Sequence, residues 1–119
     1  MSRVLIIDDI ATDRNLMGQV VTASGHQVEY ASDGEEGFTK AKALKPALIL
    51  LDVVMPRSDG FATCRKLKKD PETASIPVLM ISSKGGDSDR VWAQRQGANG
   101  YVTKPFTPEA LKTACASFI

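Results

Sequence analysis

Asp8-Asp9, Asp52, Ser82 and Lys104 are the residues of this chain best placed to do chemistry, because each closes an apolar run. Arg3-Val4-Leu5-Ile6-Ile7 runs into Asp8-Asp9, and Leu48-Ile49-Leu50-Leu51 into Asp52. Val78-Leu79-Met80-Ile81 ends at Ser82, and Tyr101-Val102 leads to Lys104-Pro105. The longer runs are too short for helices and apolar on both faces, as buried strands of a parallel sheet are. In an open α/β sheet, ligands collect in the crevice outside the carboxyl ends of the strands. Three carboxylates gathered there repel one another, so a cation must balance them. A hard divalent ion with oxygen ligands suits the task, and Mg²⁺ tolerates few protein ligands plus waters. Lys104 adds a positive point charge able to meet an anion. Carboxylates, a metal, a lysine and a hydroxyl together suit phosphoryl transfer, where charge stabilisation is most of the work. An aspartate can itself be the nucleophile, forming an aspartyl-phosphate. Taken singly, an Asp-Asp pair is turn chemistry, a serine is a cap and Lys-Pro is a solvated charge before a rigid turn. Their joint placement carries the reading.

The elements that must position these residues alternate along the chain. After the first strand, the spacing predicts a helix from Ala11 to Ser24 with Leu16, Val20 and Ala23 inward, stopped by Gly25. Gln27 to Ala31 alternates as an edge strand does. Gly34 to Leu44 reads as a helix with Phe38, Ala41 and Leu44 inward. After the central strand, Met55-Pro56 is a stop, and Ser58-Asp59-Gly60 is turn chemistry leading into a helix, Gly60 to Lys69. Phe61, Cys64 and Leu67 form its apolar face. Val78 to Ser82 is the fourth strand, Gly85-Gly86 loosens the loop after it, and Asp87 to Gln96 is helical. A short strand at Tyr101-Val102 follows, then a helix capped by Thr107-Pro108-Glu109 with Leu111, Ala114, Cys115 and Phe118 as its stripe. Five strand–helix pairs predict an α/β fold: a doubly wound parallel sheet with helices on both faces, joined by right-handed crossovers.

Composition sets the frame. The chain has 119 residues, enough for one domain with a real core. Fifteen basic against 14 acidic residues leave a formal net charge of +1, which argues against nucleic acid as the main partner. No apolar run approaches membrane-spanning length and no signal peptide is present, so no membrane insertion is expected. Cys64 and Cys115 fall inside predicted helices, lack metal-ligand spacing and read as small buried hydrophobes in a reducing compartment. His26, the only histidine, reads as a solvated loop residue, and Trp92 as packing across a helix boundary.

These motifs resemble the receiver domain of bacterial two-component response regulators, of the single-domain CheY-like type. The resemblance runs from Arg3 to about Phe118 and rests on Asp8-Asp9, Asp52 with Met55-Pro56 and Asp59-Gly60, Ser82-Ser83, and Lys104-Pro105-Phe106. It implies a five-stranded flavodoxin-like sheet of order 2-1-3-4-5 with five helices, and a single receiver domain over 1–119 with no output domain. It implies that Asp52 is the phosphoacceptor for a histidine kinase, and that the protein is cytoplasmic and not an enzyme in its own right. Asp9, Asp52 and the Val54 backbone carbonyl would hold Mg²⁺, with Asp8 nearby through water. Lys104 and Ser82 would contact the phosphoryl group, and Ser82 and Tyr101 would form the switch. A downstream effector would dock on the face formed by the fourth helix, fifth strand and fifth helix. The Lys104-Pro105 bond is commonly cis in such domains. Val54 and Lys84 stand where many members carry polar or acidic side chains, which bears on the lifetime of the phosphoryl group. The stretch Arg90-Val91-Trp92 to Gln96-Gly97-Ala98 is similar to regulators of twitching or phototactic pilus systems.

Two other classes fit these residues less well. A Mg²⁺-dependent phosphohydrolase of the haloacid dehalogenase kind places a general acid two residues after its nucleophile, and Val54 cannot transfer protons. A flavodoxin-like electron carrier needs a phosphate loop after the first strand, where Asp8-Asp9 would repel the phosphate.

Overall fold

The computed structural model describes residues 2–55 and 58–119. Pro56 and Arg57, which the sequence reads as part of the stop after the central strand, lie outside the described residues. Five strands form one parallel sheet: β1 (Arg3–Ile7), β2 (Gln27–Ala31), β3 (Leu48–Asp52), β4 (Val78–Ser82) and β5 (Gly100–Thr103). Their order is β2-β1-β3-β4-β5, the order that the resemblance implies. Five helices connect and close them: α1 (Ala11–Ala23), α2 (Gly34–Leu44), α3 (Gly60–Lys69), α4 (Asp87–Arg95) and α5 (Pro108–Ala116).

Burial along the strands explains this order. Every residue of β3 and β4 is buried, and β1 is buried after Arg3, while β2 and β5 are only partly covered. The most apolar runs therefore occupy the centre, and the weaker runs form the edges. Alternate residues point to opposite faces. Leu5, Ile7, Ile49, Leu51, Val78 and Met80 meet Ala41 of α2, Cys64 and Leu67 of α3 and Ala93 of α4. Val4, Ile6, Leu48, Leu50, Leu79 and Ile81 meet Met17 and Val21 of α1 and Leu111 and Cys115 of α5.

The buried face of α1 corrects the expectation. Met17, Gly18 and Val21 face the sheet, whereas Leu16 is 44% exposed and Ala23 is also at the surface. Val20 packs against the core as expected, and the stripe is centred one residue further on, at Met17 and Val21, which also share an i, i+4 face. Gly18 leaves room on this face for the ring end of Tyr30 of β2, which a larger residue there would displace.

A short ribbon, Val54–Met55 paired antiparallel with Ser58–Asp59, interrupts the β3–α3 connection and has no signal in the sequence. The Asp59 carboxylate then caps α3, accepting from the Phe61 amide at 2.9 Å. Gly60 starts that helix hard against β3. A Cβ on it would lie 2.2 Å from the Asp52 carbonyl oxygen and 2.6 Å from Val53 Cα, so the glycine is what lets the helix begin beside Asp52. Thr107 caps α5 as its sequence predicts, accepting from the Ala110 amide at 3.1 Å. His26 is half-buried, not a freely solvated loop residue, and its Nδ1 accepts from the Ser2 amide at 3.1 Å. No described helix is long and apolar enough to cross a membrane.

Candidate functional site: an acidic cluster crossed by a lysine

Parallel strands bring their carboxyl ends to one edge, and the sheet register fixes what meets there. Asp8 follows β1, and its amide donates to the Ala31 carbonyl at 3.0 Å. Its side chain is fully buried; Oδ1 accepts from the Ile10 amide at 2.9 Å, and Oδ2 pairs with Lys104 Nζ at 2.9 Å. Asp52 closes β3 opposite Ile81 and is 4% exposed. Carboxylate oxygens of Asp8, Asp9 and Asp52 lie within 4.8 Å of one another. Oδ1 of Asp9 is buried without a hydrogen-bond partner among the described residues. A buried, unpaired carboxylate oxygen beside two more carboxylates is the donor chemistry that a hard divalent cation seeks, so the residues fit Mg²⁺.

The electrostatics follow from that crowding. Burial pushes the Asp52 carboxyl up to about 6, with the charges of Asp8 and Asp9 adding to the rise and Lys104 opposing it. Burial works against the Lys104 ammonium too, but hydrogen bonds to Asp13 and Asp8 and the nearby Asp52 outweigh it and raise its pKa. The lysine stands 2.8 Å from Asp13 Oδ2, 2.9 Å from Asp8 Oδ2 and 3.6 Å from Asp52 Oδ1. Its backbone amide donates to the Ser82 carbonyl at 2.8 Å, continuing the β4–β5 pairing, and the Lys104-Pro105 peptide is cis.

Ser82 is fully buried at the end of β4, and its hydroxyl accepts from the Lys84 amide at 3.1 Å. Tyr101 on β5 donates its hydroxyl to the Lys84 carbonyl, and its half-buried ring packs on the α2–α3–α4 side of the core. Burial raises the Tyr101 phenol above its ordinary value. Gly85 does more than loosen its loop: a Cβ there would meet Thr103 Cγ2 at 2.6 Å, so the loop presses on β5. Val54 stands at the mouth, 51% exposed. Trp92 on α4 is 46% exposed and meets the Phe61 ring of α3 edge-on, with centroids 6.5 Å apart.

Of the expected site residues, Asp8, Asp9, Asp52 and Lys104 meet in the acidic cluster, while Ser82 and Tyr101 meet at Lys84 in the loop after β4. Two residues escaped the sequence reading. Asp13 reaches Lys104 from the first turn of α1; its spacing of four from Asp9, where a helix begins, was a usable signal. Arg90 of α4 donates to Thr103 Oγ1 at 2.9 Å and lies over the Tyr101 ring, a contact that no local pattern announces.

Fold and site together define an open, doubly wound α/β domain with an acidic crevice at the carboxyl edge of its sheet. The chain belongs to the response regulator receiver domain family, whose model matches residues 4–116. It is 42% identical over 111 residues to protein PilH of Pseudomonas aeruginosa, covering 93% of this chain and 92% of that protein. It is 40% identical to the DNA-binding transcriptional regulator RpaA of Synechocystis, covering 93% of this chain but 46% of RpaA. The structure of the chemotaxis protein CheY4 of Vibrio cholerae superposes with a TM-score of 0.94 at 28% identity, covering 100% of this chain and 99% of CheY4. Phosphorylation switching is general in the family, and its members are signalling proteins supplied by a phosphodonor kinase and read by downstream targets. Receiver domains generally bind Mg²⁺ at an acidic pocket, and the Asp8, Asp9 and Asp52 cluster has that character.

Proposed function

We propose that this chain is a phosphorylation-switched signalling receiver in which Asp52 takes a phosphoryl group from the phosphohistidine of a histidine kinase. The P–N bond to the imidazole breaks, the P–O bond to an Asp52 oxygen forms, and the imidazole leaves with a proton. Asp9, Asp52 and the Val54 carbonyl, with Asp8 nearby, would hold a Mg²⁺ ion, which would supply positive charge beside the phosphoacceptor. Lys104 neutralises a further phosphoryl oxygen, and Ser82 donates its hydroxyl to another. Drawing the Ser82 side chain to that acceptor pulls on Lys84, whose amide donates to Ser82 and whose carbonyl holds Tyr101. The change spreads to the α4–β5–α5 face, where a downstream effector protein docks. We read the whole chain as a single cytoplasmic receiver domain. The likeness to PilH, together with the stretch from Arg90 to Ala98, supports a place in pilus-based motility control, twitching or phototaxis.

One observation carries the reading: Asp52 ends the central strand inside the carboxylate cluster, with the Lys104 ammonium 3.6 Å away. Acetyl phosphate with Mg²⁺ is expected to label the wild type once, at Asp52, and to leave Asp52→Asn unlabelled when mapped by mass spectrometry. Equal labelling of the variant would remove Asp52 from the role, and steady turnover of small phosphate esters would point to a phosphohydrolase instead.

A further inference from the structure

Lys104 has three N–H donors and, in the structure, two committed partners. Asp8 is one, and Asp13 is the other and the closer, at 2.8 Å. Asp52 stands outside hydrogen-bond range at 3.6 Å. Asp13 is not needed where it sits for the cap of α1, since the preceding Ile10 is the N-cap and no side chain bonds the first turn. Its acidic charge would suit that turn without any lysine. The side chain is 35% exposed, on the solvent side of an ammonium that is itself only 14% exposed. Asp13 thus draws Lys104 outward, away from Asp52.

We propose that Asp13 is a positioning residue which competes with the phosphoryl group for Lys104 and so sets how readily Asp52 becomes and stays occupied. This rests on the assignment of Asp52 as phosphoacceptor. A phosphoryl oxygen on Asp52 and the Asp13 carboxylate share one ammonium, and Asp13 holds it in its own direction. Neutralising Asp13 weakens that hold and removes a negative charge at the rim of the site. The consequence is a tighter phosphorylated-like state, passed entirely through Lys104.

The probe is beryllofluoride, which bonds to an aspartate oxygen and presents the shape and charge of a phosphoryl group. Its affinity with Mg²⁺ is measured by NMR titration for the wild type, Asp13→Asn, Lys104→Gln and the double variant, with thermal melts as fold controls. Asp13→Asn is expected to bind about three- to fivefold tighter, the scale of a partly exposed ion pair. In the Lys104→Gln background the same substitution is expected to change affinity less than about twofold, since the coupling vanishes with its carrier. Asp13→Glu is expected to stay close to wild type. Unchanged or weaker binding by Asp13→Asn overturns the proposal, as does an equal gain in both backgrounds, which would mark a general charge effect or a structural one. No binding by the wild type would instead overturn the assignment of Asp52.

Discussion

The Arg90 guanidinium lies over the Tyr101 ring, 5.2 Å from its centroid, while its Nη2 donates to Thr103 on the same strand. One side chain of α4 thus clamps both the aromatic of β5 and the residue that Gly85 presses against. The inward ring has two holds, the Lys84 carbonyl below and this cation above. A cation over a ring at an exposed site contributes about 0.5–1 kcal/mol, and the neutral hydroxyl hydrogen bond about 1 kcal/mol.

Arg90→Ala is therefore expected to cost about 1–2 kcal/mol locally and to release the ring several-fold more often. Side-chain NMR of Tyr101 checks this: averaged or shifted ring signals are expected, with labelling of Asp52 by acetyl phosphate unchanged. A ring that stays as ordered as in wild type would leave the Lys84 carbonyl as the sole hold.

Metal dependence follows from the cluster itself. A phosphoryl group approaching Asp52 meets the carboxylates of Asp8 and Asp9 within the same 4.8 Å set, and Lys104 already has two acids to satisfy. Excess EDTA is expected to abolish labelling by acetyl phosphate, and added Mg²⁺ or Mn²⁺ to restore it. Asp9→Ala removes the buried side-chain oxygen that has no partner among the described residues, and it is expected to weaken Mg²⁺ binding at least tenfold by titration while leaving the fold intact. Labelling that persists in EDTA would contradict the role of the metal.

The same crowding has a signature in stability. The Asp52 carboxyl is raised from 3.8 to about 6. Between those values the folded chain holds more protons than the unfolded chain, so stability falls as pH rises through that window. Below it, both states are protonated and the difference disappears; above it, the full penalty applies. Two pKa units correspond to about 3 kcal/mol at most, reduced by relaxation and by the lost attraction to Lys104. In EDTA at neutral pH, Asp52→Asn is expected to be about 1–3 kcal/mol more stable than wild type by denaturant melts. The gap is expected to close toward pH 4, and saturating Mg²⁺ is expected to stabilise wild type more than the variant. A variant less stable than wild type across that range would mean that Lys104 gains more from Asp52 than the carboxylates lose.

The sheet and the site were legible for one physical reason: polar residues at the ends of apolar runs mark the carboxyl edge of a parallel sheet. Asp8, Asp9, Asp52, Ser82 and Lys104 could each be placed there by counting along their own strands. What was not legible depends on angles between elements. Which face α1 buries depends on how the packed helix meets the sheet, with Gly18 against Tyr30 of the strand that follows it. The short ribbon at Val54–Met55 and Ser58–Asp59 is set by tertiary closure around Gly60, not by strand propensity. Arg90 and Asp13 are helix residues whose partners lie on β5 and just beyond it, so only the packed fold reveals their contacts.

The buried hydroxyl of Ser82 gives the last prediction. It accepts from the Lys84 amide, and the Lys84 carbonyl accepts from Tyr101, so one residue links the end of β4 to the ring on β5. A phosphoryl oxygen on Asp52 accepts from that hydroxyl and draws it toward the site, and a hydrogen bond to a charged group contributes about 1.5–3 kcal/mol. That is enough to shift a two-state loop by roughly ten- to a hundredfold. Ser82→Ala removes the donor but none of the carboxylates, the lysine or the ring. The variant is therefore expected to accept phosphate at Asp52 and to lose most of the change beyond the site. Amide NMR shifts on adding beryllofluoride with Mg²⁺ separate the two effects. Perturbations near Asp8, Asp9 and Asp52 are expected in both proteins, and those from Asp87 to Phe106 in wild type alone. Matching shifts across Asp87 to Phe106 in the variant would mean that the signal leaves the site through Lys104 and β5 directly, bypassing the hydroxyl.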